Sequence, residues 1–148
     1  LLSKTLPHTA SVVSTECGLP DEIHPPLKRP IGERLALATR ARVYGENIVW
    51  SGPVFCRLEF KDGKAIVHFD HVGSGLVAKD GPLVGFAIAG ANQRFVKADA
   101  EIRGDTVVVR SDTVTNPVAV RYAWADFPVA NLWNKDGLPA DTFRTTSL

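Results

Sequence analysis

The sequence predicts an α+β chain: a short β-loop-α unit over 1–45, then an antiparallel β-sandwich or jelly-roll-like unit over 46–148. Two observations predict it. Apolar residues recur at helical spacing between Pro30 and Gly45. Beyond Gly45 they alternate over short runs broken by Gly, Asp and Asn. The 148 residues suit one domain, or one small domain with part of another, and 45% hydrophobic residues suffice for a core.

Ala10, Ser11, Val12, Val13 and Ser14 make an apolar, strand-like run, and a loop over 17–30 follows. Pro30 suits a first helical turn, where its missing N–H has no partner to lose. Ile31, Leu35 and Ala38 repeat at helical spacing, and Leu37, Ala41 and Tyr44 widen the stripe. Arg40 and Arg42 favour the negative end of the helix dipole, and Gly45 is a natural stop. A helix of about four turns with one broad buried face is expected. One strand and one helix cannot bury both faces of the strand. The unit therefore reads as the last β-loop-α piece of an α/β domain whose earlier strands are missing. Its apolar side, Val12 and Val13 included, is expected to require a partner segment or to associate.

In the second unit Val54, Cys56, Leu58 and Phe60 alternate with Arg57 and Glu59. Asp62-Gly63 is the pair favoured in tight hairpins, and 65–69 is the return strand. Further strands are expected at 83–88, 95–102, 106–110 and 118–124, the last with Val118, Val120, Tyr122 and Trp124 on one face. The tail over 141–148 is polar and is expected to pack loosely.

Charge excludes little else. Lys and Arg number 17 against 16 Asp and Glu, a net charge of +1 that gives no support to a nucleic-acid footprint. No apolar run approaches the roughly 20 residues that span a bilayer. The chain begins at Leu1 and contains no Met, so a translation start is not in view. No signal peptide is visible, and a removed one would leave the same picture, so the compartment stays open. Cys17 and Cys56 allow one bridge, and two free buried thiols fit at least as well.

Chemistry concentrates in Asp21-Glu22-Ile23-His24-Pro25-Pro26. The spacing lets the Asp21 carboxylate fold back onto the His24 imidazole. Such a contact fixes the tautomer and leaves the other ring nitrogen as a base. Pro25 and Pro26 restrict the backbone beside it. An acidic surface loop with a chance histidine fits the same residues.

The strand, the Asp-x-x-His-Pro loop and the helix together resemble the last catalytic block of the SGNH (GDSL-like) serine esterases. Pro30-Ile31-Gly32-Glu33-Arg34-Leu35-Ala36 extends the resemblance toward the sialate O-acetylesterases. So do Phe69-Asp70-His71-Val72-Gly73-Ser74-Gly75-Leu76, Phe86-Ala87-Ile88-Ala89-Gly90-Ala91 and Val120-Arg121-Tyr122-Ala123-Trp124. Asn131-Leu132-Trp133-Asn134 and Gly137-Leu138-Pro139-Ala140 complete the series, which covers about 5–145. The resemblance implies that 1–45 ends an SGNH-type α/β hydrolase domain. His24 would be the general base and Asp21 its orienting carboxylate. The serine nucleophile and oxyanion donors would lie in a segment upstream of this chain. Ser3, Ser11, Ser14, Ser51 and Ser74 lack that context, so the 148 residues alone are expected to be inactive. The substrate would be an acetylated sugar or glycan, with no metal or organic cofactor. The setting would be secreted, periplasmic or lysosomal. The alternative is a non-catalytic β-sandwich that binds glycan or a partner domain.

Other signals carry less. Arg103-Gly104-Asp105 reads as a hairpin turn between strands. His68, Asp70 and His71 suggest a metal site only weakly, since neighbouring strand residues point to opposite faces. Gly73-Ser74-Gly75 lacks the Lys and the spacing of a phosphate loop. Trp124 reads as core and Trp133 as the better candidate for exposure, with packing favoured over sugar stacking. Lys28 and Arg29 fit either an anionic substrate site or a solvated helix entrance.

Overall fold

The computed structural model describes residues 6–145. The run over 10–14 joins no ladder among the described residues and leads into a 3-10 turn at Thr15–Cys17. No strand is assigned there among the described residues. A strand needs a neighbour for its backbone, and here a side chain serves instead: Arg34 donates to the Val13 carbonyl at 2.6 Å.

The helix α1 spans Arg29–Arg42, with Pro30 in its first turn and Arg40 and Arg42 in its last. Its buried side differs from the expected stripe. Arg34 and Ala38 are buried and Ile31, Leu37 and Ala41 half-buried, whereas Leu35 and Tyr44 are exposed. A charged residue holds the centre of the packed face because it has fixed acceptors there.

The remaining elements are ten strands: β1 (Val54–Lys61), β2 (Lys64–Asp70), β3 (Leu76–Ala78), β4 (Phe86–Ala89), β5 (Val96–Lys97), β6 (Asp99–Arg103), β7 (Thr106–Arg110), β8 (Ala119–Tyr122), β9 (Leu132–Asn134) and β10 (Phe143–Arg144). They form one antiparallel sheet in the order β1-β2-β7-β6, a second in the order β10-β8-β4-β5, and the pair β3-β9. A common core joins the two larger sheets. Val67 and Phe69 of β2 and Val107 and Val109 of β7 meet Phe86, Ile88, Val120, Tyr122 and Phe143. This is the expected antiparallel two-sheet architecture.

Strand periodicity accounts for most of it. On β2 and β7 every second residue is buried. The β1–β2 hairpin turns through Asp62 at φ 50° and Gly63 at φ 70°, the left-handed pair that matches the strands' twist. Arg103 pairs with Thr106 across Gly104, as a hairpin turn requires.

The departures have local causes. A bulge between Phe55 and Arg57 shifts the register of β1. Phe55 therefore turns inward to stack on Phe143 at 4.6 Å, and Cys56 is exposed. Cys17 is buried, so no disulfide joins the two. Gly85 at φ 102° delays the expected 83–88 strand, and β4 runs only from Phe86 to Ala89. The expected 95–102 strand is two: β5 pairs with β4 and β6 with β7, so the chain changes sheets at buried Ala98. Ala123 at φ 49° breaks the alternation after Tyr122 and leaves Trp124 half exposed, not in the core. Trp133 is half-buried on β9, the reverse of the expected order.

The tail packs more closely than expected. Phe143 is buried, β10 pairs with β8, and Thr145 bonds the Val120 backbone in both directions. Residues 146–148 of that tail lie outside the described residues, as do 1–5 of the first unit. No helix among the described residues is long and apolar enough to cross a membrane.

Candidate active site

His24 lies on the loop between the 3-10 turn and α1, with its side chain 79% exposed. Its backbone N–H donates to Glu22 Oε1 at 2.8 Å, and its Nδ1 stands 3.7 Å from the same oxygen. The carboxylate beside His24 is thus that of Glu22. Asp21 is exposed in the preceding turn, closed by the Leu19–Glu22 bridge, and makes no contact with the imidazole. The structure brings His24 and Glu22 together and leaves Asp21 apart. Nε2 of His24 has no partner among the described residues.

The base of this loop is held from α1. Arg34 is only 6% exposed. It donates to the Val13 carbonyl, forms an ion pair with Glu16, and lies 5.7 Å from the Trp133 ring centroid. Buried guanidinium is tolerated because these acceptors and the ring face satisfy it. Lys79 covers the same ring at 4.2 Å. Trp133 therefore joins β9 to the helix and the loop base. Burial, with the Glu16 charge beside it, pushes the Cys17 thiol above its ordinary range. Sequence periodicity missed Arg34 because a helical wheel scores charge as solvent-facing.

Two asparagines of the Asn131–Asn134 stretch act as pegs. Asn131 accepts from the Val84 N–H and donates to the carbonyls of Lys79 and Pro82. Asn134 is buried, donates to Ser51 O at 3.1 Å and accepts from the Leu138 N–H. Asp136 caps the Gly73-Ser74-Gly75 turn through the Ser74 N–H and hydroxyl, which hold its carboxyl below the usual range. These contacts give the turn a structural role.

A cleft of about 430 Å³ separates the 10–13 segment from the β-rich unit. Trp50, His71, Arg42, Asp70 and Asp141 line it, and His24 and Asp21 do not. His71 meets Trp50 edge-on at 5.1 Å. His68 faces Glu59 instead, and burial together with the Arg57 charge lowers its pKa. The two histidines serve different neighbourhoods. Among the described residues no three His, Cys, Asp or Glu side chains group to hold a metal.

No protein-family model matches the chain, and no curated protein does. A solved structure does: a carbohydrate acetylesterase from Xanthomonas citri, 53% identical, with a TM-score of 0.85. The match covers 89% of this chain but 31% of that one, so this chain spans about a third of its length. Nearly all of this sequence and fold is therefore similar to one part of a carbohydrate acetylesterase.

Proposed function

We propose that this chain is the C-terminal portion of a carbohydrate O-acetylesterase, with residues 1–45 ending its SGNH-type catalytic domain and 46–148 forming a β-sandwich unit. The observation that carries it is the 53% identity to a carbohydrate acetylesterase across 89% of the chain. The sialate branch is the one the sequence motifs resemble. A secreted, periplasmic or lysosomal setting rests on that resemblance.

In the proposed reaction a serine from an upstream segment attacks the acetyl carbonyl, and His24 accepts its proton. His24 then returns that proton to the departing sugar hydroxyl. Water attacks the acetyl-enzyme with His24 again as base, and His24 passes that proton to the serine oxygen as acetate leaves. The exposed imidazole on a proline-flanked loop suits a base that must meet groups from another segment. Asp21 is the proposed orienting carboxylate. A second reading gives that role to Glu22, favoured by its 3.7 Å approach to Nδ1.

The test is intact mass of the natural full-length product, followed by acetyl-ester hydrolysis by it and by these 148 residues. The proposal expects a larger, active protein and an inert fragment, because the nucleophile and oxyanion donors are absent from the fragment. Activity in the fragment overturns the assignment of the nucleophile. An inactive full-length protein overturns the esterase reading.

A further inference from the structure

The two sheets carry different charge on their outward faces. In β1, β2, β6 and β7 the arginines are matched: Arg57 pairs with Glu59, Arg103 with Glu101 and Arg110 with Asp99. The strands of the second sheet contain no Asp or Glu at all. Their inward residues Phe86, Ile88, Val120, Tyr122 and Phe143 are core, which turns Ala87, Arg121 and Arg144 outward. Arg144 stands opposite Arg121, Arg121 opposite Ala87, and Ala87 opposite Lys97. With strands about 4.8 Å apart, the three cations make one row roughly 14 Å long across the sheet.

None of the three has a carboxylate partner among the described residues, whereas Arg29, Arg34, Arg40, Arg57, Arg103 and Arg110 each have one. Like charges directly opposite on a sheet are destabilising, so the Arg121–Arg144 register carries a cost that a bound anion would relieve. Aromatic rings flank the row. Arg121 lies 3.6 Å from the Phe95 centroid and Arg144 5.2 Å from that of half-exposed Trp124. Arg121 Nε is shielded and has no hydrogen-bond partner among the described residues.

We propose that the Arg144–Arg121–Lys97 row is a binding platform for a carboxylate-bearing polysaccharide. The two guanidiniums would take carboxylates in forked hydrogen bonds, and Trp124 would offer its free surface to a sugar ring. The choice of a polysaccharide rests on the carbohydrate-esterase reading, while the preference for an anion rests on the row alone.

Affinity electrophoresis of the full-length protein through gels containing polygalacturonate tests it, with fully methyl-esterified polygalacturonate and a DNA duplex as comparisons. Polygalacturonate should retard the protein, less so as salt rises, and its neutral ester should not. The Arg121→Gln/Arg144→Gln pair should weaken retardation about tenfold, roughly 1.4 kcal/mol. Lys97→Gln, on an exposed two-residue strand, should weaken it to a smaller extent. Arg121→Lys should recover part of the binding, since charge persists and the fork is lost. Absence of retardation, equal retardation of the double and Lys97 variants, or equal binding of DNA overturns the proposal. Binding is read without turnover. A protein that cleaves acetyl esters but ignores polygalacturonate refutes only the platform, and one that binds but does not cleave refutes only the esterase reading.

Discussion

At the scale of single residues, His24 carries the sharpest prediction. In the full-length protein His24→Ala should abolish acetyl-ester turnover while far-UV circular dichroism stays unchanged, since the side chain is 79% exposed. Asp21→Asn and Glu22→Gln, assayed side by side, decide which carboxylate orients the imidazole. The orienting one should lose more kcat, and neither should lose more than His24→Ala. Tyr122 gives a stability prediction. Its buried hydroxyl accepts the Leu132 N–H at 2.8 Å, and burial pushes its pKa up to about 12. The unfolded phenol ionises near pH 10 while the folded one stays protonated, so the contribution is whole below about pH 10. It is lost as pH rises toward about 12, on the order of 3 kcal/mol in all. Tyr122→Phe should flatten that loss in urea melts across this range. It should also cost about 1–3 kcal/mol at neutral pH, because the Leu132 N–H is left unpaired.

At the scale of elements, the junction of α1, the loop base and β9 depends on Arg34. Arg34→Met should destabilise the protein by about 1–3 kcal/mol in denaturant unfolding, since the Val13 carbonyl and Glu16 both lose their donor. Arg34→Lys should fall between, keeping charge but not both contacts. Gly52 sets a second junction: a methyl there would collide with the Pro139 carbonyl. The elements themselves were largely legible in the sequence. The helix start at Pro30, the Asp62-Gly63 hairpin and β7 followed from local rules that act within a few residues. The misjudged elements were those where a distant contact overrides the local pattern. Ala98 is buried at a change of sheets, Ala123 turns left-handed, and the 10–14 run has no neighbour to pair with.

At the scale of the molecule, apolar exposure is concentrated in the first unit. Leu19, Ile23, Leu27, Leu35, Val43 and Tyr44 are all exposed there, Ile23 by 88%. Contiguous surface of this kind would suit a covering segment, which the proposed reading places upstream. The isolated 148 residues should therefore self-associate in sedimentation velocity, and the full-length protein should do so less. A sharp monomer of the fragment, with residues 6–45 protected in hydrogen exchange, would remove the argument for a covering segment.

The sequence by itself determined the strand-rich architecture after Gly45, the single helix before it, and the loop on which the candidate base sits. Each depends on periodicity, turn residues or a short ordered motif, which are properties of neighbours along the chain. Only the tertiary structure decided that Glu22 rather than Asp21 lies beside His24, that Arg34 is buried against Trp133, and that Arg121 and Arg144 face each other without a counter-charge. Those outcomes depend on strand register and on which acceptors happen to meet a side chain in space. The Arg34–Trp133 and Arg121–Arg144 pairings join residues far apart in the chain, and the Glu22–His24 contact depends on how one short loop turns; periodicity encodes neither.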